Sequence, residues 1–197
     1  ANNGAEAWDL IMVKHYDLVI SDIMMPKKNG YDLLKLIRQK YDQLPVIMLS
    51  AKTDRDDIIR AYDLGCDDYV TKPFSPAELM ARIDALYRRI DGDSLASSEL
   101  LTQGPFVMNT RNHTLEKAGT RVRLTQVEYA ILKLFMQNPG RALSREEILA
   151  GVWGKDYDGE LKIVDVNIRR LRIKIEDDAT NPTYITTIWG YGYKWGM

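Results

Sequence analysis

The chain is short of cysteine and of long apolar runs, and each shortage excludes a class of protein. One cysteine, Cys66, in 197 residues cannot form an internal disulfide or build a zinc cluster, so a stapled secreted scaffold is excluded and the cytoplasm is expected. Cys66 itself reads as a small buried apolar residue. The longest apolar runs are strand-length, as in Val46-Ile47-Met48-Leu49, far below the roughly 20 residues that cross a bilayer, so no membrane partner is expected. The first residues lack the charged, apolar, small-residue order of a signal peptide. Low-complexity tracts and internal repeats are also lacking. What is present, 45% hydrophobic and 28% charged residues, is the make-up of a globular chain. The net charge of −1 hides an asymmetry: 13 Lys and Arg against 16 Asp and Glu over residues 1–93, then 14 against 12 over 94–197. A mildly basic second half is compatible with a polyanionic partner without establishing one.

The first half alternates short apolar runs with helical patterns. Strands are expected at residues 17–21, 45–50 and 68–71, and helices at 31–40, 55–64 (stopped by Gly65) and 76–90. Such alternation implies βαβ units and a parallel sheet, whose reactive groups sit at the carboxyl ends of the strands. Asp22, Ser50 and Lys72 each fall at or just after such an end. Three units thus bring a carboxylate, a hydroxyl and an ammonium to one rim. Residues 91–99 are small and polar, the composition of a linker. Beyond them, short strands are expected around Phe106–Met108, Thr114–Glu116 and Val122–Leu124. Capping boxes at Thr125/Glu128 and Ser144/Glu147 open two helices. A polar loop at 154–160 precedes a third helix over 163–176, and two extended runs surround Thr186 and Tyr193.

Asp22-Ile-Met-Met-Pro26, Asn29-Gly30, Leu49-Ser50-Ala51 and Gly65-Cys-Asp-Asp-Tyr69-Val-Thr-Lys72-Pro73-Phe74 agree in order and spacing with the receiver of bacterial response regulators. The whole chain resembles the OmpR/PhoB subfamily, in which a receiver controls a winged-helix DNA-binding domain. The resemblance implies Asp22 as phosphoacceptor, Ser50 as switch hydroxyl, Tyr69 as switch aromatic, Lys72 as the conserved-role ammonium and a cis Lys72–Pro73 bond. These types suit the chemistry. An ionised carboxylate attacks a phosphohistidine, and a cation stabilises the transferring group's oxygens. A hydroxyl that turns toward the phosphoryl group leaves space for an aromatic, giving a two-state element.

Against that family the sequence begins late, so the expected fold is an α/β, flavodoxin-like, doubly wound receiver lacking its first two strands and first helix, over residues 1–91. A linker at 92–102 and a winged helix-turn-helix domain at 103–197 complete the expected organisation. The absent part includes the acidic pair that holds Mg²⁺, leaving Asp22 and the backbone carbonyl of Met24 as ligands and a weak site. The family's receivers pair through the last strand and the helices flanking it. The matching residues are Asp68 with Arg82, and Glu78, with Ile58 standing where a cation usually meets Glu78, so one exposed ion pair is lost.

In the last long helix, Val164, Ile168, Leu171 and Ile175 form a core stripe, and Lys162, Val166, Arg169, Arg170 and Ile173 fall on the other side. Arg can grip guanine edges and an apolar chain can meet a thymine methyl. The run from Val164 to Glu176 and the ending Thr187-Ile-Trp-Gly-Tyr-Gly-Tyr-Lys-Trp195 resemble the subfamily's recognition helix and wing. Some members carry an Arg at the place of Trp189; here Trp189 is expected in the wing core, with Lys194 and Arg172 on phosphates. The loop at 154–160 resembles the segment that touches RNA polymerase.

The expected function is a homodimeric, sequence-specific regulator of double-stranded DNA, switched when a cognate sensor histidine kinase phosphorylates Asp22. An alternative is a phosphorylation-independent DNA-binding protein using the receiver remnant as a dimer scaffold. A third, an enzyme using the Asp22, Ser50 and Lys72 rim on a small phosphorylated substrate, leaves the basic helix without a purpose.

Overall fold

A computed structural model describes residues 1–51, 53–91 and 100–196, in two compact units, Ala1–Leu86 and Tyr87–Met197. The first unit follows the expected alternation: α1 (Gly4–Val13), β1 (Val19–Asp22), α2 (Gly30–Lys40), β2 (Val46–Ser50), α3 (Arg55–Leu64), β3 (Asp68–Thr71) and α4 (Pro76–Asp91). Its strands pair in parallel in the order β1-β2-β3, with Asp22 beside Leu49 and Ser50 beside Thr71. Parallel neighbours need a crossover, which α2 and α3 supply. Helix α2 starts because the Asn29 side chain accepts the N–H of Asp32, and α3 stops at Gly65, which takes the left-handed conformation at φ 100°.

Leu34, Ile37, Ile47, Met48, Tyr62 and Leu86 are fully buried around this sheet. Each such side chain contributes on the order of 1.5–3 kcal/mol. Arg38 staples the far end: its guanidinium donates to the carbonyls of Leu44 and Gly65 and to buried Asp67, at 2.6, 2.7 and 2.7 Å.

The second unit begins with a four-stranded antiparallel sheet in sequence order: β4 (Leu100–Gln103), β5 (Phe106–Asn109), β6 (Thr114–Lys117) and β7 (Thr120–Val122). Then come α5 (Gln126–Met136), β8 (Ala142–Ser144), α6 (Arg145–Trp153), α7 (Lys162–Ile175), β9 (Ile185–Ile188) and β10 (Gly192–Trp195), with the strands ordered β8-β10-β9. Both expected capping boxes are formed. Two short strands carry no visible sequence signal. Of the expected linker, positions 92–99 lie outside the described residues, while Leu100, Leu101 and Thr102 pair with β5, so the sheet begins before position 103. Strand β8 is three residues long and exists because β10 accepts it as a neighbour. Buried Phe106 meets Tyr184 and Trp195 edge-on at 4.7 and 5.5 Å, joining the sheet to the carboxyl-terminal hairpin.

Candidate functional site

In the first unit, the ends of three strands converge. Asp22 closes β1, Ser50 closes β2 and Lys72 follows β3, and the Lys72 N–H donates to the Ser50 carbonyl at 2.7 Å. The Lys72 ammonium is paired with one carboxylate oxygen of Asp22, and the other accepts the Met24 N–H at 2.9 Å. Both charges keep part of their solvent access, with side chains 30% and 39% exposed for Asp22 and Lys72. The Lys72–Pro73 peptide is cis, as the resemblance implied. Gly30 is needed behind the carboxylate, because a Cβ there would lie 2.3 Å from the Asp22 carbonyl oxygen.

Ser50 is fully buried and its hydroxyl is hydrogen-bonded to the phenol of Tyr69, itself buried. Burial pushes the Tyr69 phenol above its ordinary range against the opposing pull of that hydrogen bond. The strand rim therefore brings together the three residues expected there, and Tyr69 joins them through Ser50.

The residues expected at a dimer face divide. Glu78 is exposed, whereas Asp68 is buried and satisfied within the chain: it pairs with Arg82 at 3.7 Å and accepts from the Tyr62 hydroxyl and the Tyr69 N–H.

In the second unit, α7 packs against α5 and α6 and is tied to both strands of the hairpin. Val164, Ile168, Leu171 and Ile175 are buried as expected, and Lys162, Arg169 and Ile173 are exposed. Val166 corrects the expectation: it is buried at 7% exposure, because the first turns of α7 are enclosed on several sides, and a two-faced pattern assumes one. Arg170 and Lys174 also turn inward, onto Glu128. Glu128 is fully buried at the start of α5, where it also closes the capping box on Thr125. Burial drives its carboxyl upward, but Lys174 and Arg170 outweigh that and hold it below the ordinary carboxylate range.

Arg172, expected on phosphate, is an internal brace. Its guanidinium donates twice to the Ile185 carbonyl, at 3.0 and 2.6 Å, and to the Thr187 hydroxyl at 2.9 Å. Lys194 lies half-buried on β10. The Glu176 carboxylate, just past α7, accepts the N–H groups of Thr183, Tyr184 and Ile185 and so seats the hairpin. Trp189 is a second correction. Expected in the wing core, it is 91% exposed, because the turn joining β9 to β10 carries it off the sheet. Sequence reading placed Glu128 in its capping box but had no signal for its pairing with Arg170 and Lys174, which lie more than 40 residues away.

Comparison with known proteins agrees with this geometry. Residues 1–84 match the model for the response regulator receiver domain, and residues 119–195 that for the carboxyl-terminal domain of transcriptional regulatory proteins. The chain belongs to the response regulators of the OmpR/PhoB type, transcriptional regulators that join a receiver to a DNA-binding domain. It is 41% identical over 199 residues to the uncharacterized transcriptional regulatory protein YcbL of Bacillus subtilis (strain 168), covering 100% of this chain and 88% of that protein. It is 42% identical over 179 residues to the sensory transduction protein RegX3 of Mycobacterium leprae (strain TN), covering 90% of each. Among solved structures, a cysteine-to-serine mutant of RitR superposes with a TM-score of 0.74 at 26% identity, over 99% of this chain and 86% of that one.

Receivers generally bind Mg²⁺ at the phosphorylation site. The residues present here do not make a full site for it. Asp22 is the carboxylate on the rim, both its oxygens are engaged, and no group of three or more His, Cys, Asp or Glu suited to a metal occurs among the described residues. No helix among them is long and apolar enough to cross a membrane.

Proposed function

We propose that this regulator is switched by phosphoryl transfer to Asp22 from the phosphohistidine of a sensor kinase. The observation that carries this reading is the Asp22–Lys72 ion pair across the ends of β1 and β3. A carboxylate oxygen of Asp22 attacks phosphorus in line, a P–O bond forms as the P–N bond breaks, and the imidazole, already protonated on its other ring nitrogen, leaves as the neutral ring with the P–N electron pair. Lys72 then faces the phosphoryl oxygens instead of the carboxylate alone, and its charge offsets theirs. Ser50 turns its hydroxyl from Tyr69 to a phosphoryl oxygen, and Tyr69, already buried, settles into the space released.

The output is sequence-specific binding to double-stranded DNA. In this reading Arg169 and Ile173, with Lys162 at the start of the helix, are the exposed face of α7 that reads base edges, and Lys194 meets a phosphate. Residues 1–91 form the receiver in this reading and the DNA-binding domain extends to the chain end. Receiver-mediated homodimerisation around Glu78, contact of the 154–160 loop with RNA polymerase, and a cytoplasmic setting belong to the same proposal.

The test is intact-mass spectrometry after incubation with acetyl phosphate and Mg²⁺, beside Asp22→Ala. One added phosphoryl group, absent from the variant, is expected. No addition would favour the second reading, phosphorylation-independent DNA binding with the receiver as scaffold.

A further inference from the structure

Between the edge of the four-stranded sheet and the end of α7 lies an open cavity of about 460 Å³, lined by Lys117, Thr120, Arg121, Val122, Arg123 and Lys174. Its volume falls within the roughly 300–1,000 Å³ of small-molecule clefts. Four of the six lining side chains are cations, brought together by the strands. Strand β7 is the outer strand of its sheet and is joined to β6 by the turn Ala118-Gly119, whose residues take φ 49° and 78°. The turn sets Lys117 opposite Thr120 and Leu115 opposite Val122, with Arg121 between them in the register. In such a hairpin the backbone groups alternate, so the Arg121 N–H points off the open edge.

The carboxylates within reach do not use up this charge. Asp177 and the Ile175 carbonyl take two of the three Lys117 donors, at 2.6 and 2.7 Å. Glu128 serves both Lys174 and Arg170, one carboxylate for two cations. Among the described residues Arg121 makes no ion pair, and Glu116, its cross-strand neighbour, is not joined to it. Cations gathered this closely repel one another, and an anion of several charges relieves the repulsion.

The donor types define that anion. Arginine forks grip phosphate with two bonds, lysines offer point charges, and the Thr120 hydroxyl and Arg121 N–H add neutral donors. The cations stand on β6, on and just past β7, and on α7, too spread for one phosphate and suited to several in a row. Lys174 lies about 100° round α7 from exposed Ile173 and turns inward to Glu128, so a duplex on the Arg169 and Ile173 face leaves the cavity aside. We propose that this cavity binds a small oligophosphate, with two or more adjacent phosphates as in inorganic tripolyphosphate or a nucleoside triphosphate. The site is separate from the DNA-reading face and does not depend on that reading.

The test is titration calorimetry on the full chain with sodium tripolyphosphate, ATP, inorganic phosphate and sulfate. One tripolyphosphate per chain is expected, with phosphate and sulfate at least about tenfold weaker because each meets fewer cations. Arg121→Gln and Arg123→Gln should each weaken tripolyphosphate about tenfold, the scale of one charged hydrogen bond. Arg169→Gln should leave tripolyphosphate binding unchanged. ATP binding more tightly than tripolyphosphate would assign the ligand to nucleotides, and equal or weaker binding to the inorganic chain; both support the site.

No uptake of tripolyphosphate would overturn the proposal. So would equal affinity of the parent and the double Arg121→Gln, Arg123→Gln variant, or loss of binding in Arg169→Gln, which would place the anion on the exposed face of α7. A duplex pool enriched from random-sequence DNA by the unmodified protein supplies the last arm. If Arg121→Gln weakens that duplex while the parent takes up no tripolyphosphate, the cavity is a DNA contact and the ligand class is wrong. Both arginines are exposed, so the variants should melt with the parent, which separates lost binding from lost fold.

Discussion

Glu128 ties the recognition helix to the rest of its domain, and its loss should be felt far more than that of any surface acid. The carboxylate is fully buried, while the Arg170 and Lys174 side chains it holds are 15% and 28% exposed. Glu128→Gln keeps an acceptor for the Thr125 N–H and removes the charge. Two cations then remain without their counter-ion in a half-buried place. Removing one partner of a buried pair costs about 3–5 kcal/mol, and the residual water access favours the lower end, about 3 kcal/mol. For a domain near 100 residues that is a fall in melting temperature of roughly 12 °C or more. Glu128→Ala also loses the capping box, about 1 kcal/mol further. Tryptophan emission is a fitting probe, because Trp153 and Trp195 are buried in the same domain. In the Arg170→Met, Lys174→Met background, Glu128→Gln should cost less than about 1 kcal/mol, since no cation is stranded.

The pH dependence follows in sign. The folded Glu128 carboxyl lies below its unfolded value of about 4.3, so its contribution is complete above that pH and disappears as pH falls through the folded value. The gap between wild type and Glu128→Gln should be flat near neutrality and close in acid. A gap under about 0.5 kcal/mol at pH 7, or one that persists undiminished at pH 2, would refute the ion-pair account.

Two further outcomes are expected. On the enriched duplex, Arg169→Met should weaken binding by about 1–3 kcal/mol, as for a lost base contact, whereas Arg170→Met should act mainly on melting temperature, because its guanidinium is already committed to Glu128. Gly192→Ala should unfold the hairpin or lower the melting temperature by several degrees, since its Cβ would meet the Leu143 carbonyl oxygen at 2.0 Å and backbone must give way.

Much of this was legible in the sequence, for reasons that differ by element. The receiver strands are short apolar runs bounded by Gly, Pro or Asp, and Asp22, Ser50 and Lys72 lie next to those boundaries, so these three could be placed before their geometry was known, whereas Tyr69 was supplied by the family resemblance. The capping boxes at Thr125 and Ser144 are local and announced themselves. Strands β4 and β8 did not, because four and three residues carry no period and are strands only by virtue of β5 and β10. On α7 the helical period located the stripe of Val164, Ile168, Leu171 and Ile175. It failed for Val166, which is buried on a helix packed against several neighbours, and for Arg170 and Arg172, whose partners are distant in sequence. Trp189 failed in the opposite direction: hydrophobicity argues for burial, and only the turn geometry shows the ring in water.

The bond from Arg172 to the Ile185 carbonyl fixes a distance within the operator. Because helix and hairpin are bolted together, whatever each meets on DNA under the proposed function keeps a constant separation along the duplex. One inserted base pair between them turns the duplex by about a tenth of a helical turn, which a rigid reader cannot follow. Under the proposed function the stretch of DNA read by one copy should therefore be intolerant of internal insertions.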